Sequence, residues 1–505
     1  MPMDYITFFL VLALSFVSIC IHILVSNPIF RRSSTARLPP GPYAFPVIGN
    51  FLALGNKPHE SLATLSKTYG PIMSLKLGSI TTIVVSSPKI AKEVLQKHDL
   101  NISSRIIPDS VKVLDHSIVS IVWLPASNQW RKLRKICKEY LFSAQVLDSS
   151  QGLRRKKVRE LVDYVHESCT SGQAVDIGRA AFTTSLNLLA NTFFSIDLAH
   201  YQANSSQEFK DIVSTVMDLV GKTNVADYFP LLKLIDPQHF RRQMKFYFGK
   251  LLEIFEAIIN QRLQSRASSS GLGNDVLGTL LNQSKDNDTE GFSINDLKHL
   301  LLDLFLAGTD TTSASVEWAM AELMKRPDAM AKARNELEEV IGRDGHRLVQ
   351  ESDIPTLPYL QAVVKESLRL HPVAPLLIPH KAEADVEICG YTVPKNAQVL
   401  VNVWAMGRDP NIWSNPNSFL PERFLEHETD FRGQDFELIP FGAGRRVCPG
   451  MALGSRMLHF MLASLLQSFD WKLEEGVKPE DIDMNDKTGL TMQKAMPLKA
   501  IAIKL

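Results

Sequence analysis

The segment from Phe441 to Gly450 combines one cysteine with an arginine and several glycines, and these side chains suit the binding of an iron porphyrin. The thiolate of Cys448 would bind the iron axially and donate electron density that favours cleavage of an O–O bond. Arg446 can bind a porphyrin carboxylate, and Gly444 and Gly450 allow a tight turn close to a flat ring. A buried structural cysteine is the alternative for Cys448 alone, and the combination of residues favours the haem ligand.

A second set of candidate residues lies in the middle of a predicted helix from Ile294 to Lys325. Ala307 and Gly308 are small and leave room for a flat group against the helix. Thr311 can bond the carbonyl one turn back, and beside Asp310 it would open a polar notch for water in an apolar pocket. Activation of O2 needs protons, which such a notch can deliver. The alternative is that both side chains satisfy only local backbone groups.

Two further pairs of residues have helical spacing. Glu366 and Arg369 are three residues apart on a predicted helix that ends at His371, and the apolar residues around them predict a buried ion pair. Trp130 and Arg134 are four apart and would form a basic helix face that carries an indole. A solvated basic surface is the alternative for that second pair.

The cysteine segment resembles the haem-binding loop of the cytochrome P450 family, the haem-thiolate monooxygenases. The family pattern is Phe-x-x-Gly-x-Arg-x-Cys-x-Gly, and all five fixed positions are matched, by Phe441, Gly444, Arg446, Cys448 and Gly450. The family pattern Ala-Gly-x-Asp-Thr is matched in full by residues 307–311. The resemblance extends over nearly the whole chain.

The resemblance implies a role for each candidate residue. Cys448 would be the axial ligand of the iron of haem b, and Asp310 and Thr311 the proton-delivery pair. The other residues implied to bind the cofactor are Trp130, Arg134, Ala307, Gly308, His380, Phe441, Arg446 and Gly450.

Trp130 and Arg134 would clasp a haem propionate, as their equivalents do in the family. His380 stands where close relatives often carry Arg as another propionate partner, and a neutral imidazole could still donate one hydrogen bond. Arg423 would complete a structural triad with Glu366 and Arg369 that shapes the cysteine segment.

The distribution of apolar residues predicts a mainly α protein with small β-sheets, and the resemblance identifies this as the cytochrome P450 fold. A strand is expected at Ile80–Val85, a helical stretch at Lys89–His98, largely amphipathic helix between Gln129 and Phe255, and a last helix from about Met451. The polar run Ser265–Ser293 is expected to be an exposed connector.

The overall composition narrows the class of protein. The chain has 505 residues, of which 45% are hydrophobic, so it can bury a large core. Its 55 basic and 54 acidic residues nearly cancel, which argues against a nucleic-acid partner. Five scattered cysteines show no disulfide framework and favour a reducing compartment.

The N-terminus is expected to anchor the protein in a membrane. Residues Tyr5 to Val25 are almost wholly apolar, and about twenty such residues span a hydrocarbon core of roughly 30 Å. Arg31, Arg32 and Arg37 follow, which places the rest of the chain in the cytosol. The predicted organisation is a single transmembrane helix within residues 1–30, a basic and proline-rich hinge at 31–50, and a catalytic domain at 51–505, on the endoplasmic reticulum membrane. A cleaved signal peptide is the disfavoured alternative, because the segment has no basic n-region.

The resemblance implies an O2-dependent monooxygenase that receives electrons from NADPH. The chain has no flavin or dinucleotide motif of its own, so a separate NADPH-cytochrome P450 reductase is the expected partner, with cytochrome b5 as a second candidate. The likeness is greatest to plant microsomal members, especially the group containing geraniol hydroxylase. The segments that carry this closer likeness are Leu38–Pro42, Gln151–Lys156, Ala180–Phe194, Phe436–Arg446 and Asp470–Leu473.

The predicted substrate is a small apolar plant metabolite, a mono- or sesquiterpenoid hydroxylated at an allylic carbon in specialised terpenoid biosynthesis. By analogy, mostly aliphatic stretches would face it, and such a lining fits a poorly hydrogen-bonding substrate. These stretches are Ile102–Trp123, Leu304–Thr311, Val373–Ile378 and Gly489–Met492.

Three alternatives to a terpenoid hydroxylase stay open at this point. One is a hydroxylase of a phenolic or alkaloid, which would favour a pocket with more polar side chains. The second is a rearranging haem-thiolate enzyme that uses a peroxide, against which the Asp310–Thr311 pair argues. The third is a non-catalytic haem-binding protein.

Overall fold

The computed structural model describes residues 37–268, 275–283, 292–342 and 347–504. The membrane anchor expected within residues 1–30 lies outside these ranges, as does the first part of the hinge. Across the described ranges, no helix combines the length and the apolar character needed to cross a bilayer.

The described chain is mainly helical, as the sequence predicts. The α-helices are α1 (Pro58–Tyr69), α2 (Pro88–Lys92), α3 (Asp99–Ile102), α4 (Asn128–Cys137), α5 (Ala144–Ser149), α6 (Gln151–Ser171), α7 (Ile177–Phe194), α8 (Asn204–Gly221), α9 (Val225–Tyr228), α10 (Phe240–Ser268), α11 (Val276–Gln283), α12 (Ile294–Lys325), α13 (Pro327–Ile341), α14 (Pro358–Leu370), α15 (Val403–Met406), α16 (Arg423–Glu426) and α17 (Met451–Ser468).

Helix α12 is the central element of the fold, and its bounds are those predicted from the sequence. It begins at a capping box, in which Ser293 Oγ accepts from the backbone N–H of Asp296 and the Asp296 carboxylate accepts from that of Ser293. Its apolar residues continue around most of the helix surface, and α12 accordingly packs against α7, α14 and α17. A helix buried on several faces can present one stretch of its surface to a cavity inside the protein.

The strands form small sheets. The strands are β1 (Ile72–Leu77), β2 (Ile80–Val85), β3 (Ser104–Arg105), β4 (Val175–Asp176), β5 (His380–Lys381), β6 (Val386–Ile388), β7 (Tyr391–Val393), β8 (Gln398–Val401), β9 (Phe469–Lys472), β10 (Asp486–Thr488), β11 (Met492–Lys494) and β12 (Lys499–Lys504). In the largest sheet the order is β1-β2-β8-β5-β3, with β2 and β8 parallel and the other neighbours antiparallel. A three-stranded sheet has the order β4-β12-β9, and two antiparallel hairpins pair β6 with β7 and β10 with β11.

Two stretches differ from the sequence-based expectation. Within the run 265–293, predicted to be an exposed connector, the described part contains helix α11, whose Leu277, Leu280 and Leu281 are buried. The exposed-connector prediction is wrong there because leucines three and four residues apart make an apolar helix face that packs against α7. The helical stretch predicted near residues 89–98 is present, but it widens into a π-helical turn at Glu93–Lys97.

Candidate active site

A cavity of about 540 Å³ lies inside the protein and is lined by both chemical segments singled out from the sequence. Helix α12 contributes Ala307, Gly308 and Thr311, and the cysteine segment contributes Phe441 and Cys448. The structure therefore brings together residues that are more than a hundred positions apart in the chain.

The cysteine segment is held in shape by its backbone. Gly444 has a φ of +67°, and a Cβ at this position would lie 1.8 Å from the carbonyl oxygen of Leu95. Only glycine combines this φ with so close an approach. The N–H of Cys448 donates to the carbonyl of Phe441 at 3.0 Å, and α17 begins directly after Gly450. This arrangement directs the sulfur of Cys448 into the cavity.

The surroundings of Cys448 include groups that raise the pKa of its thiol and groups that lower it. Burial raises the pKa of Cys448, whereas the backbone N–H of Gly450, the charge of Arg134 and the N–H of Met451 lower it. Because burial is the largest effect, the neutral thiol is favoured in the apolar cavity. A bound metal cation is the usual means of holding a buried cysteine as its thiolate.

One side of the cavity carries an excess of positive charge. Arg105, Arg134 and Arg446 line it, and none of the three forms an ion pair with a carboxylate of the described residues. Arg105 is buried, and its Nε has no hydrogen-bond partner within the same residues. Burial, together with Arg446, lowers the pKa of Arg105.

Buried guanidinium groups are unfavourable unless a negative group accompanies them. The cavity thus supplies a thiol on the wall formed by the cysteine segment, small residues on the wall formed by α12, and cations that no carboxylate compensates. This set fits haem b, whose iron takes a thiolate and whose two propionates carry negative charge. Arg105 was missed in the sequence, because its proximity to the site depends on the pairing of β3 with β5, where Arg105 lies opposite His380.

Trp130 is buried beside two of these arginines. The guanidinium carbons of Arg446 and Arg134 lie 4.6 and 5.7 Å from the centre of its ring. The indole N–H donates to the carbonyl of Ile121 at 3.1 Å. The indole N–H is therefore engaged with the backbone, and the face of the Trp130 ring packs against the arginines.

His380 lines the cavity in a defined tautomer. Its Nδ1 lies 2.7 Å from the carbonyl oxygen of Ile102, and since a carbonyl only accepts, Nδ1 carries the proton. Burial, followed by the charge of Arg105, lowers the pKa of His380 well below its usual value, so the ring is neutral. The single N–H of the neutral ring is donated to Ile102, which leaves Nε2 as an acceptor. A hydrogen bond donated by neutral His380 to a propionate does not fit this geometry.

Asp310 and Thr311 occupy different positions relative to the cavity. Thr311 lines it, and its hydroxyl donates to the carbonyl of Ala307, one turn back, at 2.5 Å. The buried carboxylate of Asp310 is not part of the lining, and it accepts hydrogen bonds from Thr491 and Gln493. Burial raises the pKa of Asp310 to about 6. Consecutive residues of a helix do not face each other, so the polar notch at the cavity contains Thr311 without Asp310.

The sequence reasoning also missed a polar cluster around Asp303, which lines the cavity one turn before Ala307. The Asp303 carboxylate accepts from the Ser120 hydroxyl at 2.8 Å and from the Ile121 N–H at 2.9 Å, and it lies 3.2 Å from His116 Nε2. These contacts fasten the segment before α4 to α12. The signal was available, because Asp303 and Ala307 are four residues apart and share a helix face.

The three residues of the predicted triad are in contact and buried. Arg369 donates two hydrogen bonds of 2.7 Å to the carboxylate of Glu366, and Arg423 Nε lies 3.1 Å from that carboxylate. Glu366 also accepts from the N–H of Leu420 at 2.7 Å. Multiple partners of this kind are what a buried ion pair requires. The network joins α14 to the segment that leads into α16.

The apolar part of the cavity agrees in part with the stretches expected to face a substrate. Its lining includes aliphatic side chains from three of the four stretches, whereas the fourth, Gly489–Met492, does not line the cavity. In that stretch Thr491 is bonded to Asp310, and the carbonyl of Met492 accepts from Trp318. The aliphatic lining residues from the other stretches are Ile121, Val122, Leu304, Val373, Ala374, Leu377 and Ile378.

Comparison with known proteins places these features in context. Residues 39–499 match the family model described as Cytochrome P450. The chain is 57% identical over 486 residues to Cytochrome P450 76T24 of Catharanthus roseus, covering 96% of both proteins. It is 53% identical over 502 residues to Cytochrome P450 monooxygenase 76AD131 of Lophophora williamsii, covering 99% of this chain and all of the relative. It is 52% identical over 497 residues to Geraniol 8-hydroxylase of Swertia mussotii, covering 98% of this chain and 99% of the relative.

Proposed function

Since the chain belongs to the cytochrome P450 family and is a haem-thiolate monooxygenase, we propose that its substrate is a small apolar plant terpenoid. Its cofactor is haem b, its co-substrate is O2, and its electrons come from NADPH through a reductase. The proposed reaction is hydroxylation of a mono- or sesquiterpenoid at an allylic carbon, as a step of specialised terpenoid biosynthesis.

One observation carries the substrate class: the aliphatic lining of the cavity beside Thr311. Leu304, Val373, Leu377 and Ile378 offer no charged or hydrogen-bonding group to a ligand. Such a wall favours a hydrocarbon over a polar acid or amine. The similarity to a geraniol 8-hydroxylase supports the same class, since geraniol is a monoterpene alcohol.

The residues proposed to hold the haem divide into three groups. Cys448 would hold the iron through its sulfur, and the bound haem would supply the activation of O2 for insertion of one oxygen atom. Arg105, Arg134 and Arg446 would neutralise the propionates, with Trp130 ordering two of the guanidiniums. The remaining contacts with the ring are assigned to residues of both walls and to the cavity face of β5, namely Ala307, Gly308, Phe441, Gly450 and His380.

We assign different tasks to the two members of the proton-delivery pair. Thr311 presents its hydroxyl oxygen to the cavity while its proton is bonded to Ala307, so it can hold a water molecule at the wall. Asp310, with a pKa of about 6, gains and loses a proton close to neutral pH. The carboxylate is linked to the hydroxyl of Thr491 rather than to the cavity.

The partner surface is proposed from the exposed side of α4. Arg131 and Lys135 are exposed on the helix whose Arg134 reaches the cavity. A basic face so close to the haem suits an acidic redox partner, NADPH-cytochrome P450 reductase or, as a second candidate, cytochrome b5. The anchor at residues 1–30, the hinge at 31–50 and the position of the catalytic domain (51–505) on the cytosolic face of the endoplasmic reticulum remain part of the same proposal.

The test is turnover by microsomes that contain this protein and a plant reductase. NADPH is supplied with monoterpene and sesquiterpene alcohols, phenolics and an alkaloid, and products are identified by mass spectrometry. We expect hydroxylated terpenoid that disappears without NADPH and in a Cys448→Ser variant. Conversion of only the phenolics or the alkaloid would overturn the terpenoid proposal and leave the monooxygenase chemistry intact.

A further inference from the structure

A second group of ligand-type side chains lies away from the haem cavity, where α1 meets the β10–β11 hairpin. His59 and Glu60 belong to the first turn of α1, and Asp486 is the first residue of β10. One ligand atom from each of the three residues lies within 4.8 Å of the others. Asp486 is more than four hundred positions from His59 and Glu60 in the sequence, and none of the three lines the haem cavity.

His59 is the unusual member of this group. Its side chain is fully buried, with 0% of its surface exposed. Neither ring nitrogen has a hydrogen-bond partner among the described residues, and the ring packs edge-on against Trp404 at 5.2 Å. A buried polar group without a partner is unfavourable, so an imidazole at this position calls for a ligand.

The Nε2 atom of His59 is directed at the two carboxylates. His59 Nε2 lies 3.7 Å from Asp486 Oδ2 and 3.9 Å from Glu60 Oε1. Ligand atoms bound to one tetrahedral cation at about 2.1 Å are about 3.4 Å apart. The two histidine-to-carboxylate distances are therefore within about half an ångström of this spacing. The three ligand atoms lie within 4.8 Å of one another, so rotation of the carboxylates would bring all three into the first coordination sphere of one ion.

The charges around the group set how tightly a cation can bind. Lys57 Nζ lies 2.5 Å from Asp486 Oδ1 and 3.2 Å from Glu60 Oε1, so it already neutralises one of the two negative charges. Arg408, whose guanidinium lies over Trp404, adds a second positive charge nearby. On Asp486, Lys57 and His59 face different oxygens, whereas on Glu60 both face Oε1, so the ammonium has to withdraw from Glu60 when an ion binds.

We propose that His59, Glu60 and Asp486 form a binding site for a divalent transition-metal cation. Their donor atoms match Zn²⁺ best. One imidazole and two carboxylates are common zinc ligands, and water would complete the tetrahedron. Glu60 is partly exposed, with 44% of its side-chain surface accessible, and this provides a route for the ion.

A cation at this site would connect two distant parts of the chain. The hairpin that carries Asp486 also carries Gln493, and Thr491 lies in its turn; both bond to Asp310 of α12. The carbonyl of Met492 on the same hairpin accepts from the indole of Trp318. An ion held by α1 and β10 would therefore fix the hairpin against α12 and stabilise the folded protein.

The experiment is a titration of the purified, haem-loaded, full-length protein with Zn²⁺, without an affinity tag and after dialysis against a chelator. Isothermal titration calorimetry should find one site in the unaltered protein, and Zn²⁺ should raise its melting temperature. Glu60→Gln and His59→Phe should each weaken binding at least tenfold. Lys57→Met, which removes the competing charge, should tighten it.

The matched control is His166→Gln, which replaces an exposed histidine of α6 and should leave binding unchanged. His59→Phe removes no hydrogen bond seen in the described structure, and Glu60 lies at the surface, so both variants should fold. Absence of a stoichiometric site in the unaltered protein would overturn the proposal. Binding as tight in Glu60→Gln and His59→Phe as in the unaltered protein, or an equal loss in His166→Gln, would overturn it as well. Haem content and NADPH turnover do not enter this measurement, so its result is independent of the proposed substrate.

Discussion

The hydroxyl of Thr491 donates a 2.6 Å hydrogen bond to the carboxylate of Asp310, on a part of α12 that does not line the haem cavity. The neighbouring Thr311 lies on the cavity wall and bonds the carbonyl of Ala307. Adjacent residues of one motif are thus divided between the cavity and a buried network with the β10–β11 hairpin. Their contributions should be separable by experiment.

Replacing Thr311 by Val should uncouple NADPH consumption from hydroxylation. Valine keeps the branched shape and removes the hydroxyl that faces the cavity, so protons are no longer delivered in a controlled way. We expect the yield of product per NADPH to fall about a hundredfold, at the low end of general acid–base effects, with a matching rise in hydrogen peroxide. The measurement is product, peroxide and NADPH in one reconstituted assay.

The control for this prediction is Thr309→Val on the same helix. Thr309 also donates to a carbonyl one turn back, that of Phe305, but it is buried and does not line the cavity. Its loss should leave coupling unchanged. Equal uncoupling in both variants would show that the helix, and not the hydroxyl of Thr311, is responsible.

Replacing Asp310 by Asn should change how stability depends on pH. Burial raises the pKa of Asp310 from 3.8 to about 6, with Lys210 acting against the shift and Asp218 in its favour. Between these two values the folded protein binds more protons than the unfolded chain, so this residue makes stability fall as the pH rises. The amide of the variant cannot ionise, so the substitution removes that contribution.

The expected result is a different pH dependence of the unfolding free energy in the unaltered protein and in Asp310→Asn. From pH 5 to pH 7.5 the unaltered protein should lose about 1 kcal/mol of unfolding free energy relative to Asp310→Asn. Denaturant midpoints at several pH values provide the measurement. The exposed Asp148 offers a control, since Asp148→Asn should run parallel to the unaltered protein. Parallel profiles for Asp310→Asn would contradict the raised pKa.

Elements with strong local signals were predicted well from the sequence. Helix α12 has its predicted bounds, β2 spans the predicted Ile80–Val85, and α17 begins at the predicted Met451. In each case a capping residue, a run of β-branched residues or a glycine marks the boundary within a few residues. Such boundaries depend on residues that are close together in the sequence, so the sequence alone predicts them.

The details of the site depend instead on contacts between distant segments. Arg105 reaches the cavity through the pairing of β3 with β5, and the proton of His380 is committed to Ile102. The sequence contains the residues but not the register of those strands. The position of Asp310 likewise depends on a hairpin some 180 residues later. A motif therefore identifies the chemistry, whereas tertiary packing determines which side chain faces the cavity.

The tautomer of His380 leads to a prediction with two matched variants. The amide nitrogen of Asn can take the place of Nδ1, and that of Gln the place of Nε2. If His380 supports haem binding through its hydrogen bond to Ile102, the His380→Asn variant should lose haem at nearly the rate of the unaltered protein. His380→Gln should lose it about tenfold faster, as expected for the loss of a buried hydrogen bond worth ~1.4 kcal/mol.

The measurement is the rate of haem transfer from each variant to an excess of apomyoglobin. The opposite order, with Gln retaining haem and Asn losing it, would show that a donor at the Nε2 position binds the cofactor. His380 would then act on the propionate directly.

Replacing Gly444 by Ala should prevent the cysteine segment from forming. The added Cβ would lie 1.8 Å from the carbonyl oxygen of Leu95, and the φ of +67° is unfavourable for alanine. Because the obstacle is backbone, it cannot move aside as a side chain would, and Cys448 should be displaced from the cavity. We expect most of the haem to be lost on purification.

Gly249→Ala is the control, since a Cβ on this α10 residue would meet no described atom within 4 Å, and alanine should stabilise the helix by up to ~1 kcal/mol. Haem content measured against total protein decides the outcome, and a full complement of haem in Gly444→Ala would refute the steric argument.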